Sequence, residues 1–180
     1  MTRSTRIPIS CLLFLVFISA CSKPNPNSAS GAAATPTASP SAQRITSQSV
    51  VKAQPHPVEI TAGGSGEAVV RITIQNGYHL NANPPTYPYL KATELEIKPG
   101  EGVAVGKVTY PPPVTGTFAF AEKPLAVYEG TTELKAEIKT VKTAPKGNRS
   151  MTAILRIQAC DDQVCYPPGA IDLQIPLTIK

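Results

Sequence analysis

The chain has 180 residues, enough for one domain of ordinary size with flanking segments and short for two. Apolar residues make up 42%, so a packed core is feasible, while charged residues reach only 16% and prolines number 19, about twice usual usage. That mix argues against a coiled coil or helical bundle, and a single short apolar stretch near the N-terminus excludes a polytopic membrane protein. The net charge of +5 is concentrated at the start, in Arg3, Arg6, Lys23 and Arg44; from residue 45 onward 13 Lys and Arg face 12 Asp and Glu. No basic stripe remains to hold phosphates, so nucleic acid is not an expected partner.

The first residues read as an export signal. Arg3 and Arg6 precede a ten-residue apolar run, Ile9 to Ile18, and the small residues Ser19 and Ala20 follow it. The run is half the length of a membrane span, which needs about 20 residues. Ile18-Ser19-Ala20-Cys21 resembles the bacterial lipobox, which implies cleavage after residue 20 and acylation of the Cys21 sulfur. From Ser22 to Arg44 the chain is mainly Ser, Ala, Pro, Thr and Asn with no apolar period. Such a segment cannot bury enough surface to offset ordering, and as a flexible coil it would span about 26 Å. The expected division is a lipoprotein signal peptide over 1–20, a disordered tether over 21–44 and a folded domain over 45–180. The expected location is the cell envelope, lipid-anchored in the membrane and facing the periplasm. Ser22 is not the Asp that often retains lipoproteins at the inner membrane, which favours the outer one.

Beyond residue 45 the apolar pattern has period two. Ala68, Val70, Ile72 and Ile74 alternate with more polar neighbours, as do Leu134, Ala136 and Ile138. Ala153, Leu155, Ile157 and Ala159 repeat the scheme, and Leu173, Ile175, Leu177 and Ile179 close it. Shorter strands are expected at 57–61, 93–98, 103–110 and 116–121. Gly- and Pro-rich turns separate them, at Ala62 to Gly66, Pro99 to Gly102, Pro111 to Pro113 and Pro145 to Asn148. Seven or eight short strands at these intervals predict an all-β fold, an immunoglobulin-like β-sandwich.

The chemistry concentrates in Gln158-Ala159-Cys160-Asp161-Asp162-Gln163-Val164-Cys165-Tyr166-Pro167-Pro168. Cys160 ends an alternating strand, four residues turn, and Cys165 begins the return. Flanking positions of such a hairpin face each other with Cα atoms about 4.5–5.5 Å apart, within disulfide range. Closing so short a loop removes only about 2 kcal/mol of unfolded-chain entropy, a modest return for a purely structural staple. Two thiols with no nearby His are too few for a metal, and C-x4-C is not zinc spacing, so neither metal nor cofactor is expected. Asp161 and Asp162 read as solvated turn residues that would raise the pKa of a neighbouring Cys160 thiol.

The hairpin also constrains the strands that feed it. With Cys160 opposite Cys165, Leu155 and Ile157 would oppose residues 170 and 168. The apolar set Leu173, Ile175, Leu177 and Ile179 would then point to the wrong face. A register break is therefore expected before Asp172, at Pro167-Pro168-Gly169, where the prolines lack N–H donors.

The run Cys160 to Pro168 resembles the active-site hairpin of the N-terminal periplasmic domain of the thiol:disulfide interchange protein DsbD. Gly77-Tyr78-His79-Leu80-Asn81-Ala82-Asn83, Val108-Thr109-Tyr110-Pro111-Pro112 and Val127-Tyr128-Glu129-Gly130 agree with it, so the likeness covers nearly the whole body. The resemblance implies an immunoglobulin-like fold whose two cysteines, Cys160 and Cys165, carry electrons between thioredoxin-like proteins and other exported proteins. It assigns the exchange with partners to Cys165. It also implies a loop that caps the sulfurs, mapped onto Val127 and Tyr128. His79 stands as a candidate for proton transfer, and Tyr166 as a residue packed on the hairpin. Full-length members continue into membrane helices and a thioredoxin-like domain, and this chain ends at Lys180, so the partners are expected on separate chains. The alternative is a non-enzymatic envelope lipoprotein, an immunoglobulin-like binding module with a structural disulfide.

Overall fold

The computed structural model describes residues 44–180, so the signal, lipidation and tether expectations for residues 1–43, Cys21 among them, lie outside it. After a 3-10 turn, Ser47–Val50, come β1 (Val51–Pro55), β2 (Val58–Ile60), β3 (Ser65–Ile74) and β4 (His79–Asn81). They are followed by β5 (Glu94–Ile97), β6 (Val103–Thr109), β7 (Val114–Gly116) and β8 (Leu125–Tyr128). The last are β9 (Thr131–Thr140), β10 (Gly147–Ile157), β11 (Ala159–Cys160) and β12 (Gly169–Ile179). Three four-stranded sheets result, in the orders β1-β3-β9-β6, β2-β12-β10-β5 and β11-β4-β8-β7. The fold is all-β, an immunoglobulin-like sandwich.

The two larger sheets share one core, and alternation explains its membership. In β3 the inward Ala68, Val70 and Ile72 oppose Ala136, Leu134 and Thr132 of β9, Ile74 pairs with Val51 of β1, and the β3 residues are all buried. In the facing sheet Met151, Ala153, Leu155 and Ile157 meet Ile175, Leu173, Ile171 and Gly169 across the ladder. Each fully buried Leu or Ile contributes about 1.5–3 kcal/mol relative to exposure. The outer face carries ion pairs such as Arg71–Glu133 at 3.0 Å, too exposed to add much.

The expected register break is present. Cys160 bridges Cys165, yet Leu155 pairs with Ile171 and Ile157 with Gly169, one residue out of step. Residues 166–168 form no ladder, and β11 leaves the sheet of β10 to pair with β4. The shift brings Leu173 to Ile179 onto the core face.

One expected strand is absent. Residues 116–121 pair only at Gly116, and 117–124 form a loop. Phe118 and Phe120 do point the same way, but onto a ring rather than a sheet. The short strands β1, β4 and β8 were not anticipated.

Candidate active site

The smallest sheet carries the cysteine hairpin. In β11, Ala159 and Cys160 oppose Leu80 and His79 of β4, and Leu80 and Asn81 oppose Tyr128 and Val127 of β8. Cross-strand partners share a face, so two faces sort cleanly. Leu80, Tyr128 and Ala159 belong to the main core, whereas Phe118, Leu125 and Val127 form a separate apolar cluster. Cys160, His79, Asn81 and Val127 therefore lie on the side of that separate cluster. Tyr128 faces the opposite way, fully packed into the sandwich, with its hydroxyl accepting the Asn83 N–H at 3.2 Å. Burial pushes its phenol above the ordinary value, opposed by that amide.

The sulfurs are joined: Cys160 and Cys165 form a disulfide with Cα atoms 3.9 Å apart, closer than the spacing expected from a generic hairpin. The two cysteines differ sharply in access. Cys160 is 0% exposed. Cys165 is half-buried and lines a largely apolar cleft of about 290 Å³ with Tyr89, Leu90, Phe120, Ala121 and Val164. Tyr89 is 70% exposed and Val164 50%, so the rim of the cleft offers apolar surface to solvent.

The 117–124 loop lies over this face, while Val127 and Tyr128, onto which the resemblance maps a cap, are in β8. The Phe118 ring stacks on His79 with centroids 3.9 Å apart, and Phe120 lies 5.7 Å beyond Phe118. Gly116 makes room for this: a Cβ there would sit 2.4 Å from the Phe118 ring. The pair of aromatics between Gly116 and Pro124 was visible in the sequence, but its alternation reads as strand.

His79 is 2% exposed, directly across from Cys160, and its Nε2 has no hydrogen-bond partner among the described residues. Burial holds its imidazole below the ordinary value, while the carboxylates of Asp162 and Asp161 pull it upward. The ring is thus neutral near pH 7, able to donate through one nitrogen and accept through the other.

Asp161 is more than a solvated turn residue. Its Oδ1 accepts the N–H groups of Gln163 and Val164, both at 2.8 Å, closing an Asx turn. Its Oδ2 accepts the Tyr166 hydroxyl at 2.5 Å. That hydroxyl, then the two amides, hold the Asp161 carboxyl below its ordinary value, and the carboxylate in return pushes the Tyr166 phenol up to about 12. Tyr166 also packs its ring 6.0 Å from that of Tyr78. A depressed carboxyl stabilises the fold above the ordinary Asp range and loses that contribution as pH falls through the lowered value. The Tyr166 shift has the opposite sign and fails only in strong alkali. The Val164 amide is accordingly expected to keep its protection from neutral pH down past the usual Asp range, then lose it. An Asp161→Asn variant should show weaker protection with no such acid step, measured by amide exchange.

Gln158 braces the exit side, accepting from Asn81 Nδ2 and the Lys91 N–H and donating to the Tyr166 carbonyl. Among the described residues no cluster of three His, Cys, Asp or Glu side chains could hold a metal ion. The site is a disulfide with one buried and one accessible sulfur, a neutral imidazole behind it and an apolar rim in front.

A search of the curated proteins finds no match. Among solved structures, the N-terminal periplasmic domain of ScsB from Proteus mirabilis aligns at 15% identity and a TM-score of 0.46, over 71% of this chain. The alignment spans 45% of that structure's length. A chain of a type I cohesin–dockerin complex from Clostridium thermocellum aligns at 9% identity and a TM-score of 0.39, over 73% of this chain and 95% of its own. Residues 47–175 match the family described as thiol:disulfide interchange protein DsbD, N-terminal, and this chain belongs to that family.

Proposed function

We propose that this chain is an exported thiol–disulfide exchange module that relays electrons through Cys160 and Cys165. The observation that carries the reading is the asymmetry of the pair, with Cys160 sealed and Cys165 opening onto an apolar cleft. A thiolate of a thioredoxin-like partner, on a separate chain, attacks Cys165 Sγ in line with the disulfide. The bond to Cys160 breaks, its electron pair stays on Cys160 Sγ, and a mixed disulfide joins the partner to Cys165. His79, the cross-strand neighbour of Cys160, is suited to relay a proton from solvent to that buried thiolate, one ring nitrogen taking up a proton as the other gives one. The partner's second thiol then attacks its own sulfur in the mixed disulfide and releases Cys165 as a thiol. The reduced pair repeats the sequence in reverse on an oxidised envelope protein. The test is the reduction potential of the pair, measured by alkylation of Cys160 and Cys165. A value above about −300 mV is expected, and one below it marks a structural bridge.

The same reading places the domain at 45–180, behind a signal peptide at 1–20 and a tether at 21–44, facing the periplasm from a lipid anchor. Ile18-Ser19-Ala20-Cys21 supports acylation at Cys21, and durable anchoring takes more than one acyl chain. Mass spectrometry of the mature N-terminus is expected to find a diacylglyceryl-modified Cys21 in the outer-membrane fraction. An unmodified N-terminus would remove the anchor from the proposal.

A further inference from the structure

The one-residue register break at the base of the hairpin leaves backbone groups without ladder partners. Two of them, the Ala159 N–H on the incoming arm and the Pro167 carbonyl on the outgoing arm, are met by one side chain. Ser47 Oγ accepts the Ala159 N–H at 3.0 Å and donates to the Pro167 carbonyl at 2.7 Å. Ser47 is 0% exposed and comes from the 3-10 turn at the start of the domain. The turn does not use this hydroxyl itself, because Thr46 and Ser49 close its end in a capping box.

We propose that Ser47 is a positioning residue for exchange, its hydroxyl clamping the two arms of the hairpin and biasing the pair toward the disulfide. The inference rests on reading Cys160 and Cys165 as an exchanging pair. In reduction the Sγ–Sγ bond breaks, the two sulfurs gain two electrons and two protons, and two glutathione thiols supplying them leave as glutathione disulfide. The freed sulfurs then separate to van der Waals contact, by side-chain rotation and by a spreading of the arms that Ser47 holds together. Linkage is reciprocal, so a clamp that favours the disulfide is itself loosened by reduction.

The test equilibrates the mature chain and its variants in glutathione redox buffers and counts free thiols by alkylation. Ser47→Ala is expected to lower the equilibrium constant for disulfide formation about five-fold, the size of one ordinary hydrogen bond. Ser47→Thr, which keeps the hydroxyl, should restore the wild-type constant. Ser49→Ala breaks the capping box without touching the hairpin and should leave it unchanged. In the wild-type chain the Ala159 amide should exchange faster in the dithiol form than in the disulfide form, whatever the variants' folding. An unchanged constant in Ser47→Ala, a shift shared by Ser49→Ala, or equal Ala159 exchange in both forms overturns the clamp. A wild-type disulfide that no glutathione buffer reduces overturns the exchange reading instead. Amide exchange after reduction by dithiothreitol then still reports on Ser47.

Discussion

A Cys160→Ala variant is expected to accumulate a mixed disulfide with a thioredoxin-like partner lacking its resolving cysteine, and Cys165→Ala to accumulate little. The difference should be on the order of tenfold or more, because attack depends first on access to the sulfur. With Cys160 removed, Cys165 remains on its cleft beside Val164 and Phe120. With Cys165 removed, Cys160 is left in β11, at a position fully buried in the disulfide form and followed in sequence by the acidic Asp161. The proposal that partners attack Cys165 rests on this difference in burial together with the family resemblance. Gel-resolved trapping in non-reducing conditions reads the outcome. Equal trapping by the two variants would mean that the hairpin opens before it reacts, and the assignment to Cys165 would fall.

Phe118→Ala is the substitution outside the cysteines with the largest expected effect. Phe118 is packed against Leu125 and Val127, stacked on His79, and seated over Gly116. Truncating a buried Phe costs about 3–5 kcal/mol, and the ring–ring contact is part of that loss. A drop in Tm of roughly 10 °C or more follows for a domain of this size. The cluster it supports lies on the same face of the sheet as Cys160, so dithiothreitol should also reduce the variant's disulfide several-fold faster. Phe118→Tyr, which keeps the ring over His79, should retain most of the wild-type rate. A variant with lowered Tm but an unchanged reduction rate would show that the cluster holds the fold without shielding the sulfurs.

The parts of the fold that could be read from sequence are those buried on one face only. β3, β9, β10 and β12 alternate because their outer faces meet water, and all four were expected near their observed positions. β4 gives no such signal: His79, Leu80 and Asn81 are all buried, one side toward the main core and the other toward the cluster under Phe118. A three-residue strand packed on both faces has no period to detect. β8 is similar, with Leu125, Val127 and Tyr128 all buried. The opposite error fell on Phe118 and Phe120, whose alternation is real but serves a stack of rings. In the site, the disulfide pairing follows from the C-x4-C spacing, and the register break from setting that pairing against the apolar alternation of Leu173 to Ile179. Ser47 could not have been found that way, since its hydroxyl acts on residues more than a hundred positions later. Asp161 was named but underread, because an Asx turn and a solvated turn look the same in sequence.

The edge strand β2 runs parallel to β12, with Val58 beside Leu177 and Ile60 beside Ile179. The Lys180 N–H reaches the Ile60 carbonyl and the Ala62 N–H reaches the Lys180 carbonyl, so the pairing continues to the last residue. This sets an order of assembly. A chain emerging N-terminus first delivers β2 early, but its ladder neighbour β12 follows more than a hundred residues later. Until then Val58 and Ile60 have no strand to pair with, and closing that long a loop is slow relative to forming hairpins. The interval is a window for chaperone capture and for proteolysis. Cleavage within the final strand would take from β2 its ladder partner and from β10 one of its two, undoing in one cut the sheet that positions the hairpin.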